Sequence, residues 1–253
     1  MRAMIFAAGL GTRLRPLTDT MPKALVPVGG KPLLQWQIEM LRETGIRCMV
    51  VNVHHLGEQI IGFLDAHDRF GCDIEVSDER ERLLDTGGGL RKVMRDHPGV
   101  EPWLALNVDI LSTIRLPELT AAFDAEHDLA LLVVSRRQTS RYLLFDDELS
   151  LCGWTNTATG AVRPDELVTA GLHPLAFSGM QVVSPHLLPY MEQMEGDVFS
   201  MIDVYMHVLE HTEQGADHSG RRLRGFIPDR YEMRDIGKID QFSEVEQWVR
   251  RCF

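Results

Sequence analysis

The stretch AMIFAAGLGTRLRPLTDTMPKALVPVGGKP, residues 3–32, decides the fold. Ala3 to Ala8 is an unbroken apolar run that stops at glycine, the pattern of a strand covered on both faces of a parallel sheet. Ligands of open α/β sheets bind where strands end, and Gly9, Leu10, Gly11 and Thr12 stand at that end. Gly9 and Gly11 let main-chain N–H groups approach an anion with no Cβ in the way. Arg13 and Arg15 add forked cationic donors suited to phosphate oxygens, and Lys23 behind Pro22 adds a compact ammonium. A dinucleotide fingerprint needs glycine where Leu14 stands, and a Walker loop needs Gly-Lys-Ser/Thr, so neither describes this segment.

The rhythm continues outward from it. The spacing predicts a helix over 33–44, with Leu33, Leu34, Ile38 and Leu41 on one face and Gly45 as the stop. A strand over 48–53, a helix over 57–66, a strand over 73–76 and a helix over 89–95 follow. A buried strand over 103–108 then ends at Asp109. Alternation of this kind predicts an α/β fold, a mainly parallel Rossmann-like sheet with right-handed crossovers and helices on both faces. Beyond a strand over 129–135 the pattern loosens into short strands and turns. It recovers as helices over 185–191 and 201–211, and a final amphipathic helix over 238–251 through Ile239, Phe242, Val245 and Val249.

Composition excludes several classes. Lys plus Arg number 26 and Asp plus Glu 37, a net charge of −11, so the chain lacks the basic field that draws nucleic acid. The apolar share of 44% and charged share of 25% suit a globular protein rather than a disordered one. No run approaches the roughly 20 apolar residues that span a bilayer, and the apolar start is too short for a signal peptide, so a cytoplasmic setting without membrane insertion is expected. Cys48, Cys72, Cys152 and Cys252 have no C-x-x-C spacing and read as idle thiols. His54, His55, His173, His207 and His211 read as structural or surface histidines, and Ser178 lacks a nucleophile-elbow context.

The string G-x-G-T-R-x-x-P at 9–16, followed by PKALVPV at 22–28, resembles the signature of the sugar-1-phosphate nucleotidyltransferases, the NDP-sugar pyrophosphorylases. Further landmarks follow in order: Lys31-Pro32-Leu33, LDTGGGL at 84–90, Asn107-Val108-Asp109 and MRDIGK at 233–238. The short length and the glycine triplet resemble the compact members. The resemblance implies the nucleotide-diphospho-sugar transferase fold with an irregular sugar-binding insertion. It implies one domain over 1–253, its nucleotide-binding part at about 1–135 and its acceptor-binding part at about 136–230, ahead of the late metal motif.

It also implies Mg2+-dependent transfer of a nucleotidyl group from an NTP to a sugar 1-phosphate, for cell-wall or surface-polysaccharide precursors. UTP with N-acetylmuramate or hexose 1-phosphate is the first expectation. GTP with mannose or heptose 1-phosphate, and CTP with phosphocholine, are alternatives; a regulatory module of the same fold that has lost catalysis is another. The oligomeric state is not readable. By the same resemblance Arg13 and Lys23 are catalytic, and Ala8, Gly9, Gly11, Thr12, Arg13 and Gly88 hold the nucleotide. Asn107 and Gly179 face the acceptor, and Asp109 and Asp235 hold Mg2+. The chain departs from the family pattern in three places: Val108 precedes Asp109 where glycine is common, residues 140–165 contain Arg141 and Arg163 but no lysine, and Arg234 replaces a frequent apolar residue.

Overall fold

The computed structural model describes residues 1–212, 215–237 and 242–253. The chain opens with β1 Arg2–Phe6, β2 Pro27–Val28, β3 Lys31–Pro32, α1 Leu33–Glu43, β4 Cys48–Val53, α2 Gly57–Ala66 and β5 Asp73–Asp78. Next come α3 Asp85–Asp96, β6 Trp103–Asn107, β7 Ile110–Ser112, α4 Leu116–Ala122 and β8 Asp128–Ser135. Then follow β9 Arg141–Phe145, β10 Leu151–Asn156, β11 Ala161–Arg163, β12 His173–Val183, α5 Leu188–Glu192 and α6 Met201–His211. The chain closes with β13 Arg222–Phe226, β14 Met233–Asp235 and α7 Phe242–Cys252. Two compact units form, one from residues 1–83, 105–116 and 230–253, the other from 84–104 and 117–229.

In the first unit β1 pairs in parallel with β4, Ala3 opposite Met49, and β4 pairs in parallel with β5, Cys48 opposite Asp73. Val108 N–H donates to the Phe6 carbonyl at 3.2 Å, which ties the chain leaving β6 to the end of β1. Met4, Ile5, Val51 and Val53 are buried, as expected of strands covered on both faces. Helix α1 buries Leu33, Leu34, Ile38 and Leu41, the face its 3.6-residue period predicts. It ends where Gly45 takes φ +85° and its N–H returns to the Arg42 carbonyl.

The second unit is mixed. β12 runs antiparallel to β8 and β9, β9 antiparallel to β10, β10 antiparallel to β11, and β13 lies parallel to β8. The long β12 changes register against β8 between Phe177 and Gln181, a bulge in which Gly179 adopts φ +68°. Helix α6 starts with a reciprocal capping box between Ser200 and Asp203.

Two expectations shift. The helix expected over 89–95 begins at Asp85, because Gly87 and Gly88 N–H groups donate to the Phe199 carbonyl at 2.9 and 3.1 Å and the glycines become its first turn. The last helix is observed as α7 from Phe242, whereas Lys238 and Ile239 of its expected start lie outside the described residues. Among the described residues no helix is long and apolar enough to cross a membrane.

Candidate active site

In the first unit the chain leaves β1 into a loop whose opening is pinned from below. Ala7 and Ala8 N–H groups both donate to Asn52 Oδ1, at 2.7 and 3.2 Å, and Asn52 is buried at the end of β4. Gly11 then takes φ +63°, a left-handed turn that suits glycine, and its carbonyl accepts the Thr18 hydroxyl at 2.8 Å. A side chain at Gly11 would also meet Thr18 Cγ2 at 2.9 Å. Among the described residues the N–H groups of Gly9, Leu10, Gly11 and Thr12 have no protein acceptor, and Gly9, Leu10, Thr12 and Arg13 are exposed. A row of free amides beside a guanidinium is an anion cradle.

Lys23 sits behind this loop, only 8% exposed, and its ammonium donates to Asp109 Oδ2. Asp109 emerges just after β6, between Val108 and β7, and the buried Gln37 amide of α1 holds that segment by donating to the Val108 and Ile110 carbonyls at 3.3 and 2.7 Å. Short antiparallel pairing of β7 with β14 sets Asp235 opposite Ile110, and Ile236 N–H donates to the Asp109 carbonyl at 2.9 Å. The two expected metal carboxylates, separated in sequence, thus lie on neighbouring main chains. A methyl group built on Gly237 would stand 2.8 Å from Asp235 Oδ1 and 3.0 Å from Arg13 Nη1, so Arg13 and Asp235 converge on that glycine. Gly237→Ala is therefore expected to push both side chains aside, lowering turnover about tenfold or more while melting moves by no more than a few degrees. Steady-state kinetics and calorimetry on the variant check this.

β14 is clamped from behind. Trp248 Nε1 of α7 donates to Glu232 Oε2 at 2.8 Å, and the Arg234 guanidinium stacks 5.0 Å from the Trp248 ring centroid. This explains the arginine at a position where apolar residues are frequent: it covers an indole face. Lys31 is engaged locally, 2.6 Å from Glu39 and over the Trp36 ring, and Arg15 pairs with Asp19 in solvent. Asn107 closes β6 two residues before Asp109.

Gly88 and Gly179 belong to the second unit. A side chain at Gly88 would collide with the Asp197 carbonyl, and one at Gly87 would approach Phe199 Cδ2 to 2.5 Å, so close packing alone demands glycine at both positions. The Gly88 N–H is spent on Phe199. Gly179 occupies the β12 bulge beside Ser178, whose buried hydroxyl has no partner among the described residues. Arg163 is committed to Asp203 at 2.8 Å. Burial works to raise the Asp203 carboxyl, yet the Ser200 hydroxyl and Arg163 hold it below the usual carboxylate range. His173 pairs with Asp147, and His207 lies against His211 with ring centroids 4.0 Å apart and planes tilted by 36°. Among the described residues no cluster of three His, Cys, Asp or Glu is placed to hold a metal.

The family model for nucleotidyl transferases matches residues 2–144. The chain belongs to the nucleotidyl transferase family. This nucleotidyltransferase is 33% identical over 252 residues to N-acetylmuramate alpha-1-phosphate uridylyltransferase of Neisseria meningitidis serogroup B, the match covering 97% of each chain. It is 58% identical over 79 residues to choline-phosphate cytidylyltransferase of Streptococcus pneumoniae, covering 31% of this chain and 33% of that one. The solved inositol-1-phosphate CTP transferase from T. maritima superposes with a TM-score of 0.75 at 17% identity, over 99% of this chain and 95% of that one. Its likeness bears on the fold alone, and that fold is the α/β nucleotide-diphospho-sugar transferase architecture.

Proposed function

We propose that this nucleotidyltransferase moves a uridylyl group from UTP to N-acetylmuramate 1-phosphate or a related hexose 1-phosphate, releasing pyrophosphate. The convergence of Lys23, Asp109, Arg13 and Asp235 beside the free amides of Gly9 to Thr12 is the observation that carries the reading. Full-length similarity to a uridylyltransferase favours the uridine nucleotide over guanine and cytosine nucleotides.

An oxygen of the sugar phosphate attacks the α-phosphorus of UTP, a P–O bond forms, and the bond to the β-phosphate oxygen breaks as pyrophosphate leaves. The nucleophile is already an anion, so no general base is needed. Catalysis reduces to aligning two polyanions and neutralising the charge between them. The amides of Gly9, Gly11 and Thr12, with Arg13, would hold the phosphate chain, and Arg13 would stay on the departing pyrophosphate. Lys23 would turn its ammonium from Asp109 toward the α-phosphate. Asn107 is assigned to the acceptor phosphate, Gly179 to the acceptor sugar, and Ala8 and Gly88 to the base. Two carboxylates on neighbouring main chains fit Mg2+, which takes one or two carboxylates plus phosphate oxygens, so Asp109 and Asp235 would be its ligands. When bound, Mg2+ supplies charge neutralisation at the transferred phosphate.

The test incubates the protein and Mg2+ with each of UTP, GTP and CTP against N-acetylmuramate, glucose and mannose 1-phosphates and phosphocholine, measuring pyrophosphate. UTP with N-acetylmuramate 1-phosphate is expected to give the highest kcat/KM, and chelation of Mg2+ to abolish release. The phosphocholine arm is included because the 58% identical segment favours it as a second reading. No release with any pair would overturn the proposal.

A further inference from the structure

We infer that Asn52 is the positioning residue that presets the phosphate-binding loop, and that Glu79 fixes the direction in which its amide faces. The inference deepens the proposed function by adding a residue behind the phosphate cradle. Asn52 is 3% exposed and stands at the end of β4, while the loop it holds lies more than forty residues earlier in the chain. Its Oδ1 accepts from Ala7 and Ala8, and its Nδ2 donates to Glu79 Oε1 at 2.8 Å. Glu79 itself is 2% exposed, and its backbone is tied down on both sides: its N–H donates to the Val53 carbonyl and its carbonyl meets His54 Nδ1 at 2.7 Å.

The amide orientation follows from these partners. Two main-chain donors on one side demand an acceptor, and a carboxylate on the other demands a donor; a side-chain amide of this length supplies both at once. The consequence falls on the next residues. With Ala7 and Ala8 held, the chain runs on to the left-handed turn at Gly11, and the amides from Gly9 to Thr12 are left free for an anion. A loop whose first two amides were released would have to be ordered by the ligand, and that cost would be taken from phosphate affinity. Asn52 and Glu79 touch no substrate in this scheme and act through main-chain atoms alone.

The experiment measures binding of inorganic pyrophosphate with Mg2+, by calorimetry on the full chain without acceptor, alongside KM for UTP and for the sugar phosphate. Asn52→Leu orphans two buried amides and is expected to weaken pyrophosphate about tenfold or more and to raise KM for UTP in parallel. KM for the sugar phosphate is expected to stay within about twofold. Asn52→Asp keeps the acceptor but sets two carboxylates against each other, and is expected to be as damaging. Asn52→Asp combined with Glu79→Gln restores one acceptor and one donor with their directions kept, and is expected to bring pyrophosphate affinity back to within about threefold of wild type. A merely structural role would disturb both substrates alike, so the split between KM for UTP and KM for the sugar phosphate marks the action on the loop. Asn52→Leu binding pyrophosphate like wild type, a double variant no better than Asn52→Asp, or a wild type with no pyrophosphate affinity would each overturn the inference. Loss and rescue of pyrophosphate binding in a protein that transfers no nucleotide would uphold the loop assignment and overturn the transferase reading.

Discussion

Asp109→Asn is expected to lower nucleotidyl transfer roughly a thousandfold or more and to leave the protein folded. The carboxylate is the proposed anchor for a divalent cation that neutralises charge at the reacting phosphate. Such a cation contributes several kcal/mol in the transition state, and each 1.4 kcal/mol or so is a factor of ten. Asparagine keeps an oxygen able to accept from the Lys23 ammonium, which the wild-type carboxylate holds in a nearly buried position. The structural cost is then one ion pair weakened to an ammonium–amide bond, about 1–2 kcal/mol, or a few degrees of melting temperature for a chain of this size. Single-turnover kinetics beside a melting scan separate the two effects. Near-normal turnover would remove Asp109 from the site; a collapsed melt would make its role structural.

Lys23→Met is expected to reduce kcat about a hundredfold or more, with the smaller effect on KM for UTP. Methionine keeps most of the apolar stem and removes the ammonium, so packing beside the Gly11 turn is preserved. A cation that engages the phosphorus centre as negative charge builds up stabilises the transition state more than the bound substrate, which places the loss in kcat. Lys23→Arg is expected not to rescue, because Lys23 is 8% exposed with its ammonium against Asp109, and a wider forked guanidinium does not take the place of that compact point charge. A loss confined to KM would make Lys23 a binding group only.

Much of the site was legible because its chemistry is local. Gly9, Gly11, Thr12 and Arg13 fall within one loop that a buried apolar strand delivers, and glycine at position 11 is required by its own backbone angle. β4 and α2 occupy the residues their periodicity predicts, from Cys48 to Val53 and from Gly57 to Ala66. What hid were the partners brought in by topology. Asn52 lies within a strand and Gln37 on a helix; nothing local marks either as the residue that holds a distant segment of main chain. The β7–β14 pairing involves three residues on each side, too few to show a period, yet it carries Asp235 to the chain beside Asp109. Gly88 reads as a nucleotide contact, and the structure adds a packing reason for it and for Gly87: the segment around Asp197 and Phe199, more than a hundred residues later, leaves no room for a side chain. The direction of the second unit's strands was equally concealed, since antiparallel and parallel buried strands share one apolar pattern.

The acidity of the chain does not oppose a polyanionic substrate. Asp109 and Asp235 are two of the 37 acidic residues, and each lies beside a cation, Lys23 and Arg13 respectively. The free amides add positive potential without adding formal charge.

The most direct measurement follows the label from UTP in the presence of N-acetylmuramate 1-phosphate and Mg2+. With label on the α-phosphorus, the nucleotide sugar is predicted to carry it; with label on the γ-phosphorus, all of it is predicted to appear in pyrophosphate. Label from the γ-position in orthophosphate or on the sugar would mean hydrolysis or phosphoryl transfer, and would contradict attack at the α-phosphorus.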